Sequence, residues 1–216
     1  DRYDMWKDTM LIVNTDHGFL LGEHQWWAKN VMPMYNEISN TPLFIWDPRC
    51  GVQNVHRKSL VQCIDIPATL LSFFGQAIPK DMMGKDLTPV ITRDEKIRDY
   101  ALFGMFAGHV NITDGKYVYM RAPVSDQNGP CYEYTLMPTD MTQRKSASQL
   151  QAATLAAPFS FTKNMPVLKL PGGAYFSAHQ FGNLLFDVES DPLQLTPLHD
   201  SKKEAELLEA MTAEMV

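Results

Sequence analysis

Cysteine is scarce in this chain: the three present, Cys50, Cys63 and Cys131, lie far apart with no C-x-x-C spacing. Such spacing excludes a cysteine-rich zinc cluster and offers no disulfide framework, so free and mostly buried thiols are expected. Long apolar runs are also lacking. None approaches the roughly 18–20 residues that span a bilayer, so no membrane-inserted segment is expected, and the opening DRYDMWKD lacks the basic-then-apolar layout of a signal peptide. The sequence has no basic stripe either. Its formal charge is −6 without long acidic blocks, which argues against a nucleic-acid partner. No internal repeat is visible. With 216 residues, 45% hydrophobic and 20% charged, the chain can bury one sizeable core or two small ones.

The hydrophobic pattern begins with a run over 9–14 (TMLIVN) that predicts a buried strand, followed by a second at Pro42 to Trp46, closed by Asp47-Pro48. Continuous apolar runs of this kind usually belong to strands covered by neighbours on both sides. The first strand has no partner before it, so the chain is expected to start in the middle of a fold. Asp65 has the place of an N-cap for a helix over 66–74, with Pro67 in the first turn and Gly75 as its stop. Strand, strand, helix is an α/β signature. The charged, Gly- and Pro-broken stretch 80–98 then marks a subdomain boundary, giving expected units of 1–90 and 91–216. Asp114-Gly115 between Val110–Thr113 and Lys116–Met120 predicts a hairpin with a type I′ turn. Long loops are expected over 123–180, with one short helix near 148–155, then a strand at 184–187. The last element is a helix opened by a Ser201/Glu204 capping box, with Ala205, Leu208, Met211 and Met215 on one face.

The chemistry is concentrated in NTDHGFLLGEHQWWAKN, residues 14–30, where the first strand gives out. Open α/β sheets place ligands at the carboxyl ends of their strands. Asp16 and His17 side by side can both reach one divalent cation, Gly18 lets the backbone fold tightly beside them, and Lys29 can return to meet an anion.

This stretch closely resembles the metal-site loop of the sulfatases, in the alkaline phosphatase superfamily, whose pattern is T/S-D-H/N-G-x-x-L-G-E-H-x-x-x-x-K; the spacing of thirteen from Asp16 to Lys29 is included. Tyr35-Asn36-Glu37 leading to Thr41–Ile45, the helix Asp65–Leu71, the turn Thr113–Tyr117 and the segment Leu185–Pro192 are similar to further parts of that family. The resemblance implies part of an alkaline-phosphatase-like α/β core followed by a smaller α+β C-terminal subdomain with antiparallel strands and a C-terminal helix. It implies a sulfate ester hydrolase with one divalent cation, usually calcium, with manganese or magnesium as alternatives. Asp16 and His17 would be metal ligands, and Lys29 the catalytic group contacting the sulfate or its bridging oxygen. Glu23 and His24 would support the loop from behind. His109 and His179 lie in the part that can close over substrate, where His109 would be a substrate contact, and Trp26 and Trp27 could wall the pocket. His56 and His199 are expected to be solvated.

The family's nucleophile, a Cys or Ser in C/S-x-P-x-R oxidised to formylglycine, has no counterpart here: none of the three cysteines stands in that pattern. The resemblance therefore implies a C-terminal portion carrying half of a metal site. The cation would then be weakly held or absent, the nucleophile would lie in a missing N-terminal half, and the chain would be inactive alone and prone to self-association. The partners implied are that half and a sulfate ester such as a sulfated sugar. A phosphonate or phosphodiester hydrolase of the same superfamily, and a truncated non-catalytic binding protein, are the alternatives. Targeting, whether cytoplasmic or exported, is left open.

Overall fold

The computed structural model describes residues 2–29, 31–139, 143–173 and 176–215. Its first strand, β1 (Leu11–Asn14), pairs antiparallel with β4 (Leu43–Trp46), in register Leu11 with Trp46 and Asn14 with Leu43. The two runs are strands as expected, but β1 is not buried: Leu11 is 45%, Val13 52% and Phe44 65% exposed. An apolar run reports that a surface wants cover, not that the described residues supply it. Between these strands lie the short ribbon β2 (Leu20–Leu21) with β3 (Trp27–Ala28) and the single-turn helix α1 (Asn36–Ser39).

Two helices follow, α2 (Asp65–Phe73) and α3 (Thr88–Arg93). Gly75 ends the first with φ 66°, a left-handed conformation that glycine adopts at little cost. Asp65 is not the N-cap expected of it. It sits inside the first turn, fully buried, where its carboxylate accepts from the backbone N–H of Gln62 (2.7 Å) and of Lys85 (2.8 Å) and is clamped by both terminal nitrogens of Arg98. The side chain ties its own turn to two distant segments.

The C-terminal part is built on a four-stranded antiparallel sheet, order β11-β7-β6-β5, made of β5 (Ala101–Gly104), β6 (Val110–Thr113), β7 (Tyr117–Arg121) and β11 (Leu184–Asp187). The β6–β7 hairpin forms as expected, though the turn is not type I′. Only Gly115 has positive φ, and the Asp114 carboxylate closes the turn by accepting from the N–H of Lys116 and Tyr117. Side chains alternate across a strand, and the two faces do different things. Ile112, Tyr119 and Leu185 pack under helix α5 (Ser201–Glu214) with Leu207 and Met211, while Val118, Met120 and Phe186 face the other way, toward Tyr35 at the start of α1. Ile112 is fully buried, so Ile112→Val is expected to cost about 0.5–1.5 kcal/mol in urea denaturation.

Helix α5 is capped by Asp200, which accepts from Lys202 N and Lys203 N, rather than by Ser201; its buried face carries Leu207 and Met211, and Met215 is exposed. The expected loops over 123–180 contain a second antiparallel sheet, β8 (Cys131–Thr135), β10 (Val167–Gly172) and β9 (Thr154–Ala156) in that spatial order. The short helix there, α4 (Ala147–Gln151), ends earlier than expected, behind a Ser146/Gln149 capping box. The cysteines are free as expected but not buried: Cys63 is exposed and the other two are intermediate. Among the described residues, no helix is long and apolar enough to cross a membrane.

Candidate metal and sulfate site

Two residues past the end of β1, Asp16 and His17 project from a tight turn. Thr15 Oγ1 donates to Asp16 Oδ1 (3.3 Å) and to the His17 carbonyl (3.1 Å), fixing the start of the turn. The next residue must be glycine. A Cβ on Gly18 would stand 1.7 Å from the Glu37 carbonyl oxygen, and the Gly18 N–H donates to the Ile38 carbonyl at 2.8 Å, so the α1 backbone lies directly against the loop. Gly18→Ala forces the two backbones apart. It is expected to cost about 3 kcal/mol, visible as a lowered thermal midpoint.

The His17 ring has a defined tautomer. Its Nδ1 lies 2.9 Å from the Gly18 carbonyl, which can only accept, so Nδ1 carries the hydrogen, and the Lys29 ammonium, which can only donate, meets Nε2 on its lone pair. Lys29 Nζ donates to that Nε2, and Asp16 Oδ2 lies 3.1 Å from it. A carboxylate oxygen and a bare ring nitrogen in such proximity repel unless a cation sits beside them, and here the Lys29 ammonium does. Desolvation pushes the Asp16 carboxyl up, but hydrogen bonds from the backbone N–H groups of His17 and Asp16 and from the Thr15 hydroxyl outweigh it and hold Asp16 below the usual carboxylate range. Lys29, Asp16 and His17 are thus brought together as the spacing suggested. Among the described residues, no group of three or more His, Cys, Asp or Glu could hold a metal ion.

Glu23 and His24 lie within the loop itself. Glu23 accepts from the Leu21 N–H (2.6 Å) and closes the β2–β3 ribbon. His24 is packed: it stacks on Tyr35 with centroids 3.5 Å apart and its Nε2 lies 3.5 Å from Glu37 Oε2. Three non-glycine residues here, His24, Gln25 and Ala28, have positive φ, strain that persists only where tertiary contacts hold it. Trp26 packs edge-on against Phe181, while Trp27 is exposed. His109 is 5% exposed, with Nε2 donating to the Gly182 carbonyl at 3.0 Å, and its burial lowers its pKa. That is the environment of a packing histidine. His179 is bonded to the Pro123 carbonyl, and His56 and His199 are exposed.

Sequence reasoning missed Gln194, which is 2% exposed and reaches across the chain to α1: its Oε1 accepts from the Asn36 N–H at 2.6 Å. Nothing in its local sequence signals a partner 158 residues away.

Residues 22–120 match the model of the N-sulphoglucosamine sulphohydrolase C-terminal family. That segment, just under half of the chain, is similar to the sulfatases. The chain is 33% identical over 89 residues to an N-acetylglucosamine-6-O-sulfatase of Bacteroides thetaiotaomicron, a match covering 41% of this chain and 16% of that protein. To arylsulfatase K of Bos taurus it is 38% identical over 84 residues, covering 38% and 15%. The chain thus spans about a sixth of these sulfatases. A solved structure of a protein in complex with its substrate D-glucosamine-2-N,6-O-disulfate shares the fold over 99% of this chain and 35% of its own, with TM-score 0.55 and 18% identity. A 2-O GAG sulfatase does so over 97% and 35%, with TM-score 0.57 and 17% identity. The fold is therefore that of the sulfatases, alkaline-phosphatase-like, with antiparallel sheets and a C-terminal helix.

Proposed function

We propose that this chain supplies the Asp-His-Lys side of a sulfate ester hydrolase acting on a sulfated amino sugar. The observation that carries the reading is Lys29 on the bare Nε2 of His17, with Asp16 Oδ2 3.1 Å away. Two lone-pair donors aimed at a position that needs a positive charge fit half of a divalent-cation site, and Asp16 and His17 would hold that cation in exchange for the Lys29 hydrogen bond. Calcium is the proposed ion, with manganese or magnesium compatible with an oxygen-plus-imidazole set; two protein ligands alone would hold it weakly. When bound, the cation would supply Lewis-acid polarisation of the ester oxygens. The chain's own residues do the rest. Gly18 and the Nδ1 bond aim His17, and Lys29 keeps a proton-rich ammonium where charge grows on the sulfate or leaving oxygen.

The nucleophile is proposed to be formylglycine derived from a segment outside these 216 residues, since none of the three cysteines stands in the required pattern. The exposed apolar side chains of Leu11, Val13 and Phe44 support that segment as the cover for the β1–β4 pair, with self-association of the bare chain as its substitute. Residues 1–90 and 91–216 are proposed as the core-derived and C-terminal units. The sulfated amino sugar is suggested by the relatives' own named substrates.

The test is hydrolysis of glucosamine 6-sulfate and of a phosphonate monoester by the full-length protein, wild type beside His17→Ala. Sulfate ester turnover that exceeds phosphonate turnover and falls at least about a hundredfold in the variant is expected. Phosphonate preference, or a variant as active as the wild type, overturns the reading.

A further inference from the structure

We infer that Gln194 is a positioning residue for the Asp16-His17-Lys29 site, acting through α1. The inference rests on the proposed function only for the meaning of that site; the coupling itself is a matter of geometry. Helix α1 is four residues long, too short to hold itself together, and its N-cap Tyr35 has no side-chain acceptor for the helix's free N–H groups. Gln194 provides one from the segment after β11: its Oε1 accepts from Asn36 N at 2.6 Å, while Asn36 Nδ2 donates to the Pro192 carbonyl at 3.2 Å. One residue further along, the Glu37 carbonyl packs onto Gly18, and the Ile38 carbonyl accepts the Gly18 N–H. The Gly18 carbonyl in turn takes the His17 Nδ1 hydrogen, which turns Nε2 toward Lys29. Every link from the C-terminal segment to the ring nitrogen is a direct contact.

Gln194 occupies this place against its local preferences. Its backbone is left-handed, φ 51°, and its amide Nε2 is buried without a hydrogen-bond partner among the described residues. Both features are unfavourable, and they persist because Oε1 is needed at Asn36. The C-terminal segment therefore sets the tautomer of a residue 177 positions before it, and the loop is aligned only when β11 and the turn after it are in place.

The experiment compares wild type with Gln194→Ala and Gln194→Glu, which keeps a side-chain oxygen at the same reach, by two readouts independent of turnover. These are amide hydrogen exchange at Gly18 and Asn36, referenced to Met120 in β7, and the ring nitrogen NMR shifts of His17. In Gln194→Ala both amides should exchange about tenfold faster than Met120 reports, and the His17 shifts should move from a single Nδ1–H tautomer toward a mixture. Gln194→Glu should restore both. If only Asn36 loosens while Gly18 and His17 match wild type, the coupling ends at α1 and the inference is overturned. Should Gln194→Ala fail to fold, Gln194→Asn, one methylene shorter, takes its place under the same criteria. Loss of sulfate ester hydrolysis with an unperturbed His17 counts against this inference, whereas a perturbed His17 in a protein without sulfatase activity counts against the proposed function alone.

Discussion

Lys29→Ala should lower kcat/KM for a sulfate ester about 10²–10³-fold in the full-length protein, or ~3–4 kcal/mol of transition-state stabilisation. The ammonium faces His17 Nε2 from a partly buried position, where a positive charge meets less solvent screening than on an open surface. Charge moves onto the sulfate and leaving oxygens as the ester bond breaks, so an ammonium in place stabilises the transition state more than the ground state. The loss should therefore fall mainly on kcat. Lys29→Arg should restore little, because a planar guanidinium cannot occupy the compact space of an ammonium. Stability should change by less than about 1 kcal/mol, since Lys29 sits at the edge of the loop and not in a core. Full activity in Lys29→Ala with intact circular dichroism would remove the lysine from the chemistry.

Asp65→Ala should be the most damaging single change to stability, about 3–5 kcal/mol, read as a drop in the urea midpoint. Its carboxylate is 0% exposed, and its removal leaves the Arg98 guanidinium buried without its anion and the Gln62 and Lys85 N–H groups without acceptors. Asp65→Asn keeps an acceptor and loses the charge, so it should fall between wild type and Ala. Burial alone would push the Asp65 carboxyl up; the Arg98 guanidinium and the N–H groups of Lys85 and Gln62 outweigh it and hold the group below the ordinary carboxylate range. A carboxylate whose folded pKa is depressed contributes stability that is complete above the unfolded value, about 3.9, and is lost as pH falls through the folded value. The wild type should accordingly lose stability steeply below about pH 4, and Asp65→Asn should show a shallower acid limb. Parallel acid limbs for the two proteins would mean the pair is not what holds Asp65 ionised.

The parts that could be read without a structure are those whose cause is local. Gly75 after an apolar helix, Asp-Gly between two β-branched runs and the dense Asp-His-Gly loop each announce themselves within a few residues, and each was found in place. Even there, local chemistry had competing outlets. The Asp65 carboxylate can cap a helix or bridge three segments, and burial beside Arg98 decided for the second. Asp114 could have left the turn to backbone dihedrals, but its side chain closed it. The β8–β10–β9 sheet was illegible because Pro and Ser are scattered through the segments between its strands, and its pairing depends on partners up to 41 residues away.

The sequence by itself determined the chemical vocabulary of the site: a carboxylate, an imidazole and an ammonium on a loop that must contain glycine, placed after an apolar strand. Those are properties of residue types and spacing, and they do not require knowing what lies opposite. The tertiary structure alone decided which ring nitrogen of His17 is bare, that α1 presses on Gly18, and that Gln194 holds α1 from the far end of the chain. Hydrogen-bond acceptors for a buried N–H are chosen by proximity in space, and a residue 158 positions away leaves no periodic trace of that choice in the chain.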